Sequence, residues 1–142
     1  MKDSKDLLSS ILKTAQMGQV GIRAVMKADI DQNLKHALTH QLEEYAQIEQ
    51  EAYLLAKTER LQTQSLHPIA KRMARMTTKA RLSYGNVSSK TAAMMIQGNT
   101  RGMIKSLKNL NHYDHSNQKV ALLAEKLLKY EENNVQQMQG FV

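Results

Sequence analysis

Apolar side chains recur at alternating steps of four and three residues in four stretches of this 142-residue chain, the rhythm of helices buried on one face. The first stretch, about residues 4 to 28, carries Leu8, Leu12, Ala15, Gln19, Ile22 and Met26, with Ser4 and Asp6 at its start. The second, about 31 to 60, carries Leu34, Leu38, Gln41, Tyr45, Ile48, Ala52 and Leu55, opened by Asp29 or Asp31 as cap. Only residues 28 to 31 separate the two, so they are expected to be antiparallel neighbours. A third stripe starts after Pro68 with Ile69, Met73, Met76 and Ala80, and "YGN" at 84 to 86 breaks or kinks it. Capped by Ser88 or Ser89, it continues through Ala92, Ile96, Asn99, Met103, Leu107 and Leu110. After the turn "NHYDHSN", Asp114 or Ser116 caps a fourth helix with Val120, Leu123, Leu127, Glu131, Asn134 and Met138, which frays at Gly140. No segment alternates in the manner of a strand. The expected fold is a single all-α domain over residues 1–142: an antiparallel four-helix bundle of two hairpins, with an extra or kinked helix in the 61–87 connection.

Composition agrees. One proline, one phenylalanine and no tryptophan stand beside abundant Leu, Ala, Met, Gln and Lys, which favour helices. The absence of cysteine excludes disulfides, thiolate metal ligands and a cysteine nucleophile. "MKDSKDLLSS" has no apolar signal-peptide core, and no apolar run approaches the roughly 20 residues that cross a bilayer. A cytoplasmic protein without a transmembrane segment is expected.

Five polar residues interrupt the stripes at or beside inward positions: Gln19, Gln41, Glu44, Asn99 and Glu131. Counting outward from turns centred near residues 30 and 113 puts Gln19 level with Gln41, and Asn99 within one turn of Glu131. A buried amide or carboxylate without a partner costs about 1–3 kcal/mol, so a mutually satisfying cluster near the bundle's middle is expected. Gly18–Gln19 and Gly98–Asn99 occupy matching places, each about a dozen residues before its hairpin turn.

Two hairpins, a long connection and a polar residue beside glycine in the first and third helices resemble the ferritin-like superfamily, specifically its short bacterial rubrerythrin-related members. That resemblance implies a di-iron site built from one Glu on each of two helices and Glu-x-x-His on each of the others. Carried over, the lone-Glu positions fall on Gln19 and Asn99. The paired motifs fall on Gln41-x-x-Glu44 and on Leu128-x-x-Glu131 or Glu131-x-x-Asn134. The set is incomplete: the first helix has no carboxylate between Asp6 and Asp29, and none occurs from Arg60 to Tyr113. Two divalent ions in a dry core need roughly four anionic ligands, and only Glu44 and Glu131 are on offer. Gln19 then reads as the amide remnant of a ligand position, with no metal and no cofactor expected; an outward-turned Gln19 beside glycines that permit close packing is the simpler alternative.

His36 and His40, spaced i,i+4, and His40 with Glu44 could bind a metal but are expected to face solvent. "HYDH" at 112 to 115 has turn duties. No nucleophile–base pair, phosphate-binding glycine loop or nucleotide fingerprint occurs, so no enzyme is expected. The nine methionines are mainly flexible core filler.

Net charge is +7 but uneven: Arg60 to Tyr113 carries ten basic residues and no acid, leaving the rest at −3. Lys71, Arg72, Arg75, Lys79 and Arg81 form the cationic side of an amphipathic helix, suited to an acidic protein, nucleic acid or an anionic surface. Three functional expectations follow. The first is a non-enzymatic ferritin-like structural or interaction protein, a homodimer or larger assembly, whose di-iron site is lost. The second is an atypical metal binder using Glu44, Glu131, Glu132 and histidines. The third is a non-specific nucleic-acid or anionic-surface binder working through residues 71–81.

Overall fold

The computed structural model describes residues 1–65 and 86–142. Within them the chain forms four helices, α1 (Ser4–Val25), α2 (Gln32–Thr58), α3 (Val87–Asn111) and α4 (Gln118–Gln139), and no strand. Each begins at a side chain that accepts the otherwise unpaired first-turn N–H groups. Asp3 accepts from Asp6, Asp31 from Asn33 and Leu34, Asn86 from Ser89, and Asn117 from Lys119 and Val120. Three of these caps lie one to three residues from the expected ones. Ser88, an expected cap, accepts instead from the Asp31 N–H at 2.8 Å and ties the first hairpin's turn to the start of α3. α2 ends where Arg60 takes a left-handed conformation (φ 54°) and Leu61 N–H returns to the Ala56 carbonyl.

The four helices pack as a bundle. α1 lies against α2 and α3 against α4, and α4 also meets α2 and α1. Between α2 and α4, Glu59–Lys119 (3.3 Å), Glu51–Lys126 (2.8 Å) and Gln41–Gln137 (3.0 Å) descend one helix while climbing the other. The inward stripes of α1, α2 and α4 are those read from the sequence, with Leu8, Leu12, Ile22, Leu34, Leu38, Ile48, Val120 and Met138 all inaccessible. At the opposite end, Lys2 exchanges backbone hydrogen bonds with His112 and Asp114, and the buried Tyr113 hydroxyl meets Ser4 at 2.6 Å. The "HYDH" segment therefore has the turn role expected of it. The expected helix or kink between 61 and 87 falls, apart from residues 61–65 and 86–87, outside the described residues; residues 61–65 are not helical.

α3 departs from expectation. Its inward face is Thr91, Ala92, Met95, Asn99 and Ser106, while Leu107 is 43% exposed and Met103 and Leu110 are only partly covered. Beyond Asn99 the stripe runs through Gly102 and Ser106, one residue before the predicted Met103 and Leu107. Small side chains face inward there because larger ones arrive from α2 and α4.

The glycines also separate. A Cβ at Gly18 would lie 2.6 Å from Tyr45 Cε2, and one at Gly102 would collide with the Glu131 carboxylate. Gly21 and Gly98 face open space. The apparent match of Gly18 to Gly98 is thus not a match in packing: the close-approach glycine of α3 is Gly102. In chemical denaturation, Gly21→Ala is expected to stabilise the protein by about 0.5–1 kcal/mol through helix propensity alone. Gly18→Ala is expected to destabilise by about 1–3 kcal/mol, because the Tyr45 ring must shift.

Candidate functional site in the polar interior

Four of the five polar positions read from the sequence are buried in the bundle, and Glu44 is partly covered. Gln41 is 0%, Glu131 1%, Asn99 3% and Gln19 5% exposed, and the Glu44 side chain is 15% exposed. They do not form one cluster.

Gln19 belongs to the α1–α2 seam. Its Nε2 donates to Glu49 Oε1 at 3.0 Å and to the Ala15 carbonyl at 3.3 Å. Gln16 donates to the other Glu49 oxygen at 2.9 Å and to the Tyr53 hydroxyl at 3.0 Å. One carboxylate thus satisfies two amides from successive turns of α1. The expected level of Gln19 with Gln41 is corrected: Gln41 donates to Gln137 Oε1 on α4 instead. Gly18 lies against Tyr45 and Gln19 reaches Glu49, so Gln19 is level with the turn of α2 after Gln41. Glu49 stands one residue past the apolar Ile48, which is why stripe counting missed it.

The second group gathers α2, α3 and α4. Tyr45 crosses over Gly18, whose missing side chain leaves room for the ring, and donates its buried hydroxyl to Asn99 Oδ1 at 2.8 Å. Glu131 on α4 fills the notch left by Gly102, and Ser106 Oγ donates to its Oε1 at 3.4 Å. Glu131 meets Gly102 and Ser106, so Asn99 is level with residues near Asn134, within one turn of Glu131.

Burial pushes the Glu131 carboxyl up to about 8, against smaller opposing effects of the Ser106 hydrogen bond and the Lys105 ammonium. Near neutrality this group is therefore mostly protonated. Burial also raises Glu44, opposed by His40 and by the Asn134 amide, which lies close without forming an aligned hydrogen bond. The Tyr45 phenol is raised first by burial and then by Glu131 and Glu44.

Among the described residues, five buried polar atoms have no protein partner: Gln41 Oε1, Glu44 Oε1, Thr91 Oγ1, Asn99 Nδ2 and Asn134 Nδ2. Two of the five are N–H donors, which repel a cation. A di-iron pair does not fit this donor set. Among the described residues no three His, Asp or Glu side chains are grouped to hold a metal ion. His40, 68% exposed, reaches Glu44 at 3.9 Å from the surface; His36 and Glu132 are exposed. Lys71, Arg72, Arg75, Lys79 and Arg81 lie outside the described residues. Sequence reading missed Glu49, Ser106, Gly102 and Gln137. Of these, Gly102 and Ser106, at stripe spacing from Asn99, left a signal.

No family model, curated protein or solved structure gives a significant match to the chain.

Two outcomes are expected. Because Glu131 binds its proton more tightly when folded, its contribution is full below about pH 4.5, its ordinary value, and is lost as pH rises toward 8. Wild-type stability relative to Glu131→Gln should therefore fall across that window, by at most about 1.4 kcal/mol per pH unit. Urea titrations of both proteins at several pH values check this. Gln19→Leu should keep the fold, by circular dichroism, and change stability by no more than about 2 kcal/mol, since Gln16 still holds Glu49.

Proposed function

We propose that this chain is a non-enzymatic, ferritin-like helical bundle with a structural or interaction role, in which amides stand where a di-iron site would have its carboxylates. The observation that carries the reading is the interior donor set. Gln19, Gln41 and Asn99, the positions to which the resemblance assigns ligands, are amides nearly inaccessible to solvent. Glu131, the sole fully buried acid among the described residues, is mostly neutral near pH 7. An interior of amides, hydroxyls and a protonated carboxyl supplies hydrogen bonds that fix helix register but little charge to hold cations.

An interaction role, as a homodimer or larger assembly, draws support from apolar groups on the outer face. Leu54 and Leu122, 60% and 53% exposed, stand between the Glu51–Lys126 and Glu59–Lys119 pairs on adjoining helices. Such a spot, apolar within and charged at its rim, suits a protein contact.

The test is metal content by plasma mass spectrometry of protein purified without chelators from iron-supplemented culture. Well under one metal ion per chain is expected. Two tightly held ions per chain would overturn the proposal in favour of an atypical metal protein.

A further inference from the structure

A cleft of about 410 Å³ lies outside the polar interior, between the first half of α1, residues 62–64 and Lys105 of α3. Its walls carry the four ammonium groups of Lys2, Lys5, Lys13 and Lys105 against one carboxylate, Asp6. None of the four lysines forms a salt bridge among the described residues.

Hydrogen bonds tie the walls of the cleft together. Gln64 N–H donates to Ser9 Oγ at 3.0 Å and Lys13 Nζ to Gln64 Oε1 at 3.4 Å, binding one wall to α1. Asn109 donates to Ser10 Oγ at 2.7 Å, binding α3 to α1 on the other side. Lys2 is held by its backbone pairing with the α3–α4 turn. Like charges brought together this way repel unless a counter-charge joins them. Lys105 registers the repulsion: partial burial of its ammonium lowers it first, the Lys13 and Lys2 ammoniums next, and Glu131 opposes them.

We propose that this cleft binds a small, soluble phosphate-bearing anion. An excess of three positive charges calls for a multivalent partner, and a phosphate group carries roughly two negative charges and three acceptor oxygens. The lining contains lysines and no arginine. Lysine meets phosphate as a point charge, and four such charges suit a compact multivalent anion better than a single carboxylate. The volume is that of a small-ligand pocket, in the range of about 300–1,000 Å³. The Ser9 and Ser10 hydroxyls of the wall accept from Gln64 and Asn109 and keep an O–H that can donate to a phosphate oxygen beside the lysines.

The experiment is calorimetric titration of the full chain with inorganic pyrophosphate at pH 7 and low ionic strength. Saturable binding of one pyrophosphate per chain is expected, weakening as salt is raised. The double variant Lys13→Ala/Lys105→Ala should lose at least about tenfold in affinity, whereas Lys57→Ala and Lys129→Ala, exposed elsewhere, should bind as wild type does. Circular dichroism confirms that each variant folds. Absence of saturable heat with the wild type overturns the proposal without any variant. So does binding indifferent to Lys13 and Lys105, or tight binding of a short mixed-sequence DNA duplex that pyrophosphate does not displace.

Discussion

A carboxyl group in the middle of a helical bundle sets the terms for everything around it. Glu131 is 1% exposed and sits in a notch that exists only because residue 102 has no side chain. Its hydrogen-bond support is a single long contact from Ser106. Under those conditions the proton stays on the acid, since an ionised carboxylate taken from water without a close cation carries a desolvation penalty of several kcal/mol. With Glu131 neutral, the interior is a set of dipoles: amides, hydroxyls and a carboxylic acid. Such a set can position helices against one another. It offers little to a pair of divalent ions.

The same economy of space explains the shape of the interior. Tyr45 reaches from α2 to Asn99 on α3 because Gly18 lets the ring pass, and Glu131 reaches α3 because Gly102 does. Two glycines on different helices each receive one large side chain from a neighbour. α3 consequently turns small and polar residues inward at Thr91, Asn99 and Ser106 and leaves Ile104 and Leu107 substantially exposed. The charge carried by the outer surface is arranged separately, with α2 and α4 cross-linked by Glu51–Lys126 and Glu59–Lys119 and the lysines of the α1–α3 cleft left without acidic partners.

Most of the fold was legible in the chain, and the reasons are local. On α1, α2 and α4 the apolar residues that mark the helices are also the ones that pack, so periodicity alone found Leu12, Leu38 and Leu127. On α3 the rule fails beyond Asn99, because what decides the buried face there is the size of partners arriving from other helices. Periodicity in one sequence carries no record of that. The five interior polar positions were found for the same reason as the core, by their place in a stripe. Their partners were not. Glu49 and Gln137 stand off the stripes and reach inward through long side chains, so no count along one helix predicts that Gln19 bonds to the first and Gln41 to the second. The lysine cleft was hidden more completely, since it joins residues 2 to 13 with 62 to 64 and 105. Attention to charge in the sequence falls on the denser 71–81 run.

Glu131, so placed, keeps its proton at neutral pH. Carbon-13 NMR of the side-chain carboxyl, titrated in the intact folded protein and assigned by comparison with Glu131→Gln, measures this directly. A midpoint near 8 is expected. A midpoint in the ordinary carboxylate range, near 4.5, would mean a charged acid at the heart of the bundle and would contradict it.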